Sequence, residues 1–198
     1  LLILKCIMYK DILEVNSLKS VSQNAELKEK VGVAAANLVE NGMIIGIGTG
    51  STMAYFIKEI GRRVKEEGLK IKGVTTSYQS KMLCYDLGIP LMDTGIVDTI
   101  DLAVDGADEI DPGLNAIKGG GAAQTIEKIV ASMAKRFILI GDESKLVENL
   151  GLEFPIPIEV IPDAMALVSK RVKTIGAEPR LRIAVRKDGP VVSDNGNF

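Results

Sequence analysis

We expect this chain of 198 residues to fold as an α/β protein, with a mainly parallel sheet flanked by helices in the Rossmann-like manner. Short apolar runs of strand length alternate with amphipathic stretches of helix length from residue 25 to about residue 140, which is the pattern of βαβ units. A stretch with two prolines at 154–158 then marks a boundary. The predicted organisation is an N-terminal extension at 1–24, a main α/β domain at 25–150, and a small, incomplete α+β domain at 151–198.

The elements follow from periodicity and turn residues, in chain order. Residues 1–24 lack a regular pattern and are interpreted as a tail or an additional helix. Leu27, Val31 and Leu38 recur at helical spacing, which predicts a helix over 25–40 that ends before Gly42. The other predicted elements of the main domain are strands at 43–47, 69–74, 89–92, 100–104 and 137–140 and helices at 53–67, 77–87 and 122–135. The segment 105–121 is predicted to be a long loop, and the small domain is predicted to contain strands at 158–160 and 181–186 around a helix at 164–175.

Composition excludes several classes of function. Lys and Arg number 24 and Asp and Glu 26, so the net charge is −2 and no basic field exists to bind nucleic acid or a membrane surface. His is absent, which removes Ser–His and Cys–His nucleophile pairs and most zinc sites, so acid–base chemistry must use other side chains. Cys6 and Cys84 have no CxxC spacing and suit structural thiols in a reduced, cytoplasmic compartment.

A glycine-rich loop at 46–52 lies between a predicted strand and a predicted helix. Glycines allow close approach of the backbone to a ligand, and the free N–H groups of a helix start attract anions. A Walker A loop would need Lys where Gly50 stands, and a dinucleotide site would need an acidic residue where Thr75 and Thr76 stand. A sugar-phosphate site fits this loop, and a purely structural turn is the alternative.

Two carboxylates follow the strand predicted at 100–104. Asp105 stands at the carboxyl end of this strand and Asp108 three residues later. Carboxylates at strand ends of a parallel sheet face the ligand crevice, and a close pair can divide the roles of acid and acceptor. Mg²⁺ ligation and a solvated acidic turn are the alternatives at this stage.

The segment that follows supplies a cation and a third carboxylate. Lys118 precedes three glycines, a costly sequence that suits backbone amides crowding a ligand, although a flexible linker is the alternative. Glu127 lies at the flank of the apolar face of the helix at 122–135, where partial desolvation would raise its pKa toward that of a useful base. An ordinary boundary glutamate is the competing interpretation. Lys145, beyond the strand at 137–140, is another cation at a strand end.

Together these motifs resemble the A-type ribose-5-phosphate isomerases. The matching stretches are GIGTGST, TTSYQS, DLAVDGADEID, NAIKGGGAA, EKIVA, FILIGDESK, PIEVIP and GPVVSDNGNF. The resemblance implies an aldose–ketose isomerase of the non-oxidative pentose phosphate pathway, which interconverts D-ribose 5-phosphate and D-ribulose 5-phosphate through an enediol(ate). It also implies no metal or organic cofactor, a homodimer or homotetramer, a small second domain that acts as a lid, and a chain that continues beyond DNGN.

The resemblance also implies the role of each site residue. Glu127 would move a proton between C2 and C1, Lys118 would stabilise the enediolate, and Asp105 and Asp108 would bind the sugar oxygens and assist ring opening. The remaining substrate-binding residues would be Thr49, Gly50, Ser51, Thr52, Gly106, Ala107, Gly119, Gly120, Gly121, Lys145 and Lys28. Two alternatives remain: an amino-sugar-phosphate deaminase, from which we expect a catalytic His, and a sugar-phosphate sensor or inactive isomerase fragment.

Overall fold

The computed structural model describes residues 3–7 and 21–198. The strands are β1 (Ile3–Ile7), β2 (Ile44–Ile47), β3 (Lys72–Thr75), β4 (Leu102–Gly106), β5 (Glu109–Ile110), β6 (Ala116–Ile117) and β7 (Arg136–Ile140). The helices are α1 (Val21–Ala36), α2 (Ser51–Glu66), α3 (Tyr78–Asp86), α4 (Gln124–Met133) and α5 (Met165–Thr174). Short 3₁₀ turns occur at Thr94–Ile96, Glu143–Lys145 and Pro162–Ala164.

A five-stranded parallel sheet forms the centre of the molecule, in the order β1-β7-β4-β2-β3. The register is set by pairs such as Ile45 with Leu102 and Val104 with Ile138. Because every strand runs the same way, the loops after β2, β3, β4 and β7 leave from one edge of the sheet, where ligands bind in such folds. The predicted α/β architecture with a parallel sheet is confirmed.

The side chains of each strand alternate between two buried faces. Ile45 and Ile47 of β2 point to one face, where they join a core with α1 and α2. Ala103 of β4 points to the other face and packs with Val130 of α4. Helices therefore cover both faces, and each fully buried aliphatic side chain contributes about 1.5–3 kcal/mol of hydrophobic free energy. Because both faces of these strands are buried, their sequences are continuous apolar runs, and this is why the sequence predicted them.

Several elements differ from the expectations. Residues 3–7 form an edge strand of the main sheet, where a tail or an additional helix was expected; residues 8–20, and the Cys6 side chain, lie outside the described part of the chain. Helix α1 ends at Ala36, earlier than Glu40, and Gly42 adopts a left-handed φ of 87° in the turn that leads into β2. The expected strand at 89–92 is reduced to a single bridge between Leu91 and Gly73.

The long loop expected at 105–121 contains the antiparallel hairpin of β5 and β6. Its two-residue strands are too short to show a periodicity in the sequence, which is why the loop interpretation was wrong there. The hairpin determines where Asp108 and Lys118 lie. It returns the chain toward β4, so that Asp108 N–H donates to the Ile117 carbonyl at 2.8 Å and Lys118 follows directly.

The residues after 151 form helix α5 but no strand of their own. The expected strand at 181–186 is limited to one bridge, between Ile183 and Pro190, and residues 158–160 contribute only the backbone pair of Val160 with Phe198. An alternating pattern becomes a strand only when a neighbouring strand pairs with it, and Val185 is 99% exposed. In the described part of the chain, no helix combines the length and the apolar character that crossing a membrane requires.

Candidate active site

The glycine loop after β2 positions the start of α2. Helix α2 begins at Ser51, and Gly50 precedes it with a φ of 120°, a conformation that side-chain-bearing residues rarely adopt. No side chain caps the helix start. Lys28 of α1 reaches it from the side, because its Nζ donates to Ser51 Oγ at 3.0 Å. The loop therefore combines helix N–H groups, a hydroxyl and an ammonium, the chemistry that binds a phosphate.

Asp105 is held against this loop by backbone amides. Its Oδ1 accepts from the N–H of Gly106 at 2.7 Å and from the N–H of Thr49 at 3.2 Å. A Cβ placed on Gly48 would overlap the Asp105 carboxyl group, so only glycine at that position permits the contact. Two adjacent strand ends, those of β2 and β4, are joined through one buried carboxylate.

Lys118 lies between two carboxylates that are distant in sequence. Its Nζ is 2.9 Å from Asp105 Oδ2 and 3.1 Å from Glu127 Oε2, and it donates to the Gly106 carbonyl at 2.6 Å. Glu127 is 4% exposed and lies in the first turn of α4. Gly46 of β2 makes this possible, because its missing side chain leaves room for Val130 and α4 to approach the sheet. Asp105, Lys118 and Glu127 thus form one buried cluster.

The cluster carries two potential negative charges and one positive charge, and burial acts on all three. Burial and the nearby Asp105 charge raise the pKa of Glu127 to about 7, although Lys118 opposes the rise. Burial also raises the pKa of Asp105, against the effect of Lys118. Burial by itself would lower the pKa of Lys118, but the two carboxylates reverse this and raise it. Lys118 stays cationic, and Glu127 can exchange a proton near neutral pH.

Asp108 and the triple glycine form the opposite side of the site. Asp108 Oδ2 accepts from the Gly120 N–H at 2.8 Å, and a Cβ on Gly120 would lie 2.5 Å from Asp108 Oδ1. Gly119 has a φ of 98°, and Gly121 faces the methyl group of Thr49. The segment is a fixed turn against Asp108 rather than a flexible linker. Gly106 and Ala107 connect this side to the Asp105 cluster.

The other predicted residues lie at the same edge of the sheet. Thr52 is in the first turn of α2. Lys145 is half-buried at the end of the 3₁₀ turn that follows β7. Among the described residues, no polar contact of Lys145 with the Asp105 cluster is seen. A cavity of about 430 Å³ opens next to the cluster beyond β3, but its lining includes Thr76 and Ile126 and none of Asp105, Lys118 and Glu127.

Metal ligation at the two aspartates receives no support from side-chain geometry. In residues 3–7 and 21–198, no group of three or more Asp, Glu or Cys side chains could hold a metal ion. Metal-free chemistry stays a prediction.

Four further residues support the site and were not singled out from the sequence. Thr49 Oγ1 lies 2.8 Å from Thr76 Oγ1 and donates to Ser77 Oγ at 2.7 Å, which fixes the threonine of the glycine loop. Arg182 donates to the Gly120 carbonyl at 2.7 Å, and Glu159 accepts from the N–H of Thr125 at the start of α4. Thr76 and Ser77 lie in the quoted TTSYQS stretch. Glu159 lies in the quoted PIEVIP stretch, whereas no quoted stretch contains Arg182; neither contact could be inferred locally, because the partners of Arg182 and Glu159 are 62 and 34 residues away.

Comparisons with known proteins point to one family. A family model described as ribose 5-phosphate isomerase A (phosphoriboisomerase A) matches residues 72–198. Ribose-5-phosphate isomerase A of Methanosarcina acetivorans is 53% identical over 180 residues, which are 91% of this chain and 76% of that protein. The protein of the same name from Methanothermobacter thermautotrophicus is 55% identical over 172 residues, 87% of this chain and 75% of that protein.

Solved structures agree as well. Ribose 5-phosphate isomerase A from Methanocaldococcus jannaschii has a TM-score of 0.85 at 48% identity, over 88% of this chain and 78% of that chain. A D-ribose-5-phosphate isomerase in complex with phospho-erythronic acid has a TM-score of 0.83 at 49% identity, over 87% of this chain and 76% of that chain. The family model matches, sequence identity is about one half over most of the chain, and the fold is shared. This chain therefore belongs to the ribose 5-phosphate isomerase A family.

Proposed function

We propose that this isomerase interconverts D-ribose 5-phosphate and D-ribulose 5-phosphate with Glu127 as the base that moves the proton between C2 and C1. The observation that carries this assignment is the position of Lys118, whose ammonium group lies within 3.1 Å of both Glu127 and Asp105. A carboxylate base beside a fixed cation is what enolisation requires: one group takes the C–H proton, and the other stabilises the oxygen that becomes negative. The sensor and inactive-fragment alternative is not favoured, because about 50% identity to named isomerases extends over most of the chain.

The proposed reaction starts from the open-chain aldose. The Glu127 carboxylate removes the C2 proton, the C2 electrons form the C1–C2 double bond, and negative charge develops on O1 beside Lys118. Glu127 exchanges this proton with solvent and then protonates C1, while the O2 proton moves to O1 and O2 becomes the ketone. Asp105 and Asp108 bind the sugar oxygens and carry the proton between them. Atoms and charge balance without a cofactor.

The phosphate end of the substrate is assigned to the start of α2. The N–H groups of Ser51 and Thr52, with the ammonium of Lys28, present positive charge and donors to an anion, and the N–H of Gly50 donates to Gln79 Oε1 at 3.2 Å. The sugar would extend from there toward Asp105, whose carboxyl is bound to the same loop through Thr49. Lys145 and Gly119–Gly121 complete the pocket. A relative with phospho-erythronic acid bound supports recognition of a sugar phosphate.

Isomerisation in deuterated water tests the reaction and its route. Purified protein is incubated with ribose 5-phosphate, ketose is followed by its absorbance, and the label is located by NMR. We expect ketose that carries solvent deuterium at C1, and an unchanged rate after treatment with a metal chelator. Absence of ketose would contradict the function, ketose without deuterium would contradict the enediolate route, and inhibition by the chelator would contradict metal-free catalysis.

The family resemblance supports three further proposals. We expect a homodimer or homotetramer, which light scattering on the purified protein measures. A cytoplasmic location is the second, and fluorescence of a tagged chain in cells tests it. The third is the division into a main domain at 25–150, with residues 3–7 of the predicted extension paired into its sheet, and a lid at 151–198. Limited proteolysis should cut near residue 151 if that boundary is correct.

A further inference from the structure

A single carboxylate connects the start of the catalytic helix to the last residues of the chain. Glu159 Oε2 accepts from the backbone N–H of Thr125 at 2.8 Å. Its Oε1 accepts from Ser193 Oγ at 2.6 Å, from Asn197 Nδ2 at 3.0 Å and from Asn195 Nδ2 at 3.1 Å. Ser193 is itself buried. Four donors from two distant segments therefore converge on one side chain.

Helix α4 needs such a contact because its own sequence provides no cap. Ala123 occupies the N-cap position and makes no side-chain hydrogen bond, so the first N–H groups of the helix depend on partners from elsewhere. Glu159 binds one of them, at Thr125, from 34 residues away. Glu127 follows Thr125 by two residues in the same first turn. A displacement of this turn would displace the Glu127 carboxylate as well.

We propose that Glu159 is a positioning residue for catalysis, which holds the first turn of α4, and with it Glu127, in register with Lys118. This inference rests on the proposed function, in which Glu127 is the base. It also gives the segment at 193–197 a role in turnover, because that segment supplies three of the four donors that orient Glu159.

The charge of Glu159 gives the contact a second effect. Burial by itself would raise the pKa of Glu159, but the hydrogen bonds from Ser193, Asn195 and Thr125 lower it to about 2, so the group is anionic throughout the working range. A helix N-terminus favours nearby negative charge and so favours ionised Glu127. The anion of Glu159 at this end opposes that effect and keeps Glu127 more basic.

Three other charged groups act on the pKa of Glu127. Asp105 at the end of β4 and Asp108 after it raise the pKa of Glu127, and Lys118 beyond β6 lowers it. None of the three contacts Glu159 within the described residues. A substitution at Glu159 therefore leaves these groups in place and changes only the field and the anchoring at the start of α4.

The test is Glu159→Gln, which keeps the size of the side chain, removes its charge and turns one acceptor into a donor that faces other donors. We expect kcat to fall about tenfold to a hundredfold with KM changed less than about threefold, since misplacing a catalytic group by about 1 Å costs up to that factor. The acid limb of kcat/KM should move to lower pH by about 0.2–0.7 of a unit. Glu159→Asp, which keeps the charge, should leave this limb in place.

Glu178→Gln is the matched control: it removes the same charge from an exposed residue that forms an ion pair with Arg180 at 3.1 Å. We expect wild-type kinetics from it. Wild-type kcat in Glu159→Gln, or a limb that does not move, would overturn the inference, whereas failure of the wild-type chain to turn over would overturn the proposed function instead. Should Glu159→Gln not fold, Ser193→Ala removes one donor from the cluster. A lower kcat at unchanged KM then supports the inference, and wild-type kcat overturns it.

Discussion

Replacing Glu127 by Gln separates the proposed base from every other part of the site. Gln has nearly the same volume as Glu and can still contact Lys118, but it cannot accept the C2 proton. The proposed phosphate pocket lies at the start of α2, and Asp108 contacts Gly120, so both are on other elements. The substitution therefore removes one chemical capacity and leaves substrate binding largely intact.

The size of the expected loss of activity follows from the environment of Glu127. With a pKa of about 7, roughly one half of this carboxyl group is ionised at pH 7 and roughly one tenth at pH 6. A positioned base contributes about 10²–10⁴ in rate, or about 2.7–5.4 kcal/mol in barrier height. We expect kcat to fall by that factor in Glu127→Gln with KM within about threefold. The wild-type protein should lose kcat/KM about tenfold per pH unit below pH 7, and the variant should lack this limb.

Glu127→Gln should lower activity but should not lower the thermal stability of the protein at pH values above 7. The folded state raises the pKa of Glu127 above its ordinary value of 4.5, so the folded state binds this proton more tightly than the unfolded state does. As the pH rises from about 4.5 to about 7, ionisation of Glu127 therefore lowers the free energy of unfolding. Glu127→Gln avoids this loss, and above pH 7 we expect its Tm to equal or exceed that of the wild-type protein.

The assays are ketose formation across pH 5–9 and thermal unfolding at pH 8. Glu40→Gln is the control with the same loss of charge, because Glu40 is exposed and precedes β2 at the opposite edge of the sheet. A Glu127→Gln protein that turns over within a few fold of wild type would refute the assignment of the base. A variant with a clearly lower Tm would refute the description of Glu127 as a group whose ionisation is unfavourable in the fold.

Three further substitutions test the rest of the site. Lys118→Ala should lower kcat by about 10²–10³. It should also move the acid limb of kcat/KM above pH 7, because Lys118 lowers the pKa of its neighbour Glu127; an unmoved limb would contradict this electrostatic role. Lys28→Ala should raise KM several-fold with kcat unchanged, as expected for a group that binds phosphate equally in ground and transition states, and an unaltered KM would remove Lys28 from the phosphate site. Gly48→Ala should abolish measurable turnover, because its Cβ would overlap the Asp105 carboxyl group and lie 2.7 Å from the Asp105 Cα; normal kinetics would contradict this close approach of the loop to Asp105.

Local patterns predicted the elements that are buried on both faces and the motifs that end them. The strands around Ile45, Val104 and Ile138 are legible because a strand with two buried faces must be apolar along its whole length. The site residues were accessible for a related reason. Asp105 was singled out because it directly follows an apolar strand, Lys118 because it precedes three glycines before a helix, and Glu127 because it lies at the flank of an apolar helix face.

The edge strand and the short hairpin were not predicted from the sequence. The strand at 3–7 occupies the edge of the sheet beside β7, and the hairpin of β5 and β6 has two residues in each strand. Residues 3–7 are apolar except for Lys5, whose charge interrupts the run, and the two-residue strands of the hairpin are too short to show a pattern; pairing with distant partners stabilises both. The opposite error arose at 181–186, where an alternating pattern exists but almost no partner does.

From the sequence alone came the parallel α/β fold, the family, and the residue types proposed to perform the chemistry, since these depend on periodicity and on motifs contiguous in the chain. Tertiary structure alone decided that Lys118 contacts both Asp105 and Glu127, that Glu159 caps α4, and that Arg182 reaches Gly120. The physical reason is that ion pairs and hydrogen bonds act over about 3 Å in space. These contacts join residues that are 9 to 62 positions apart, and they exist only after the sheet has brought its strand ends together.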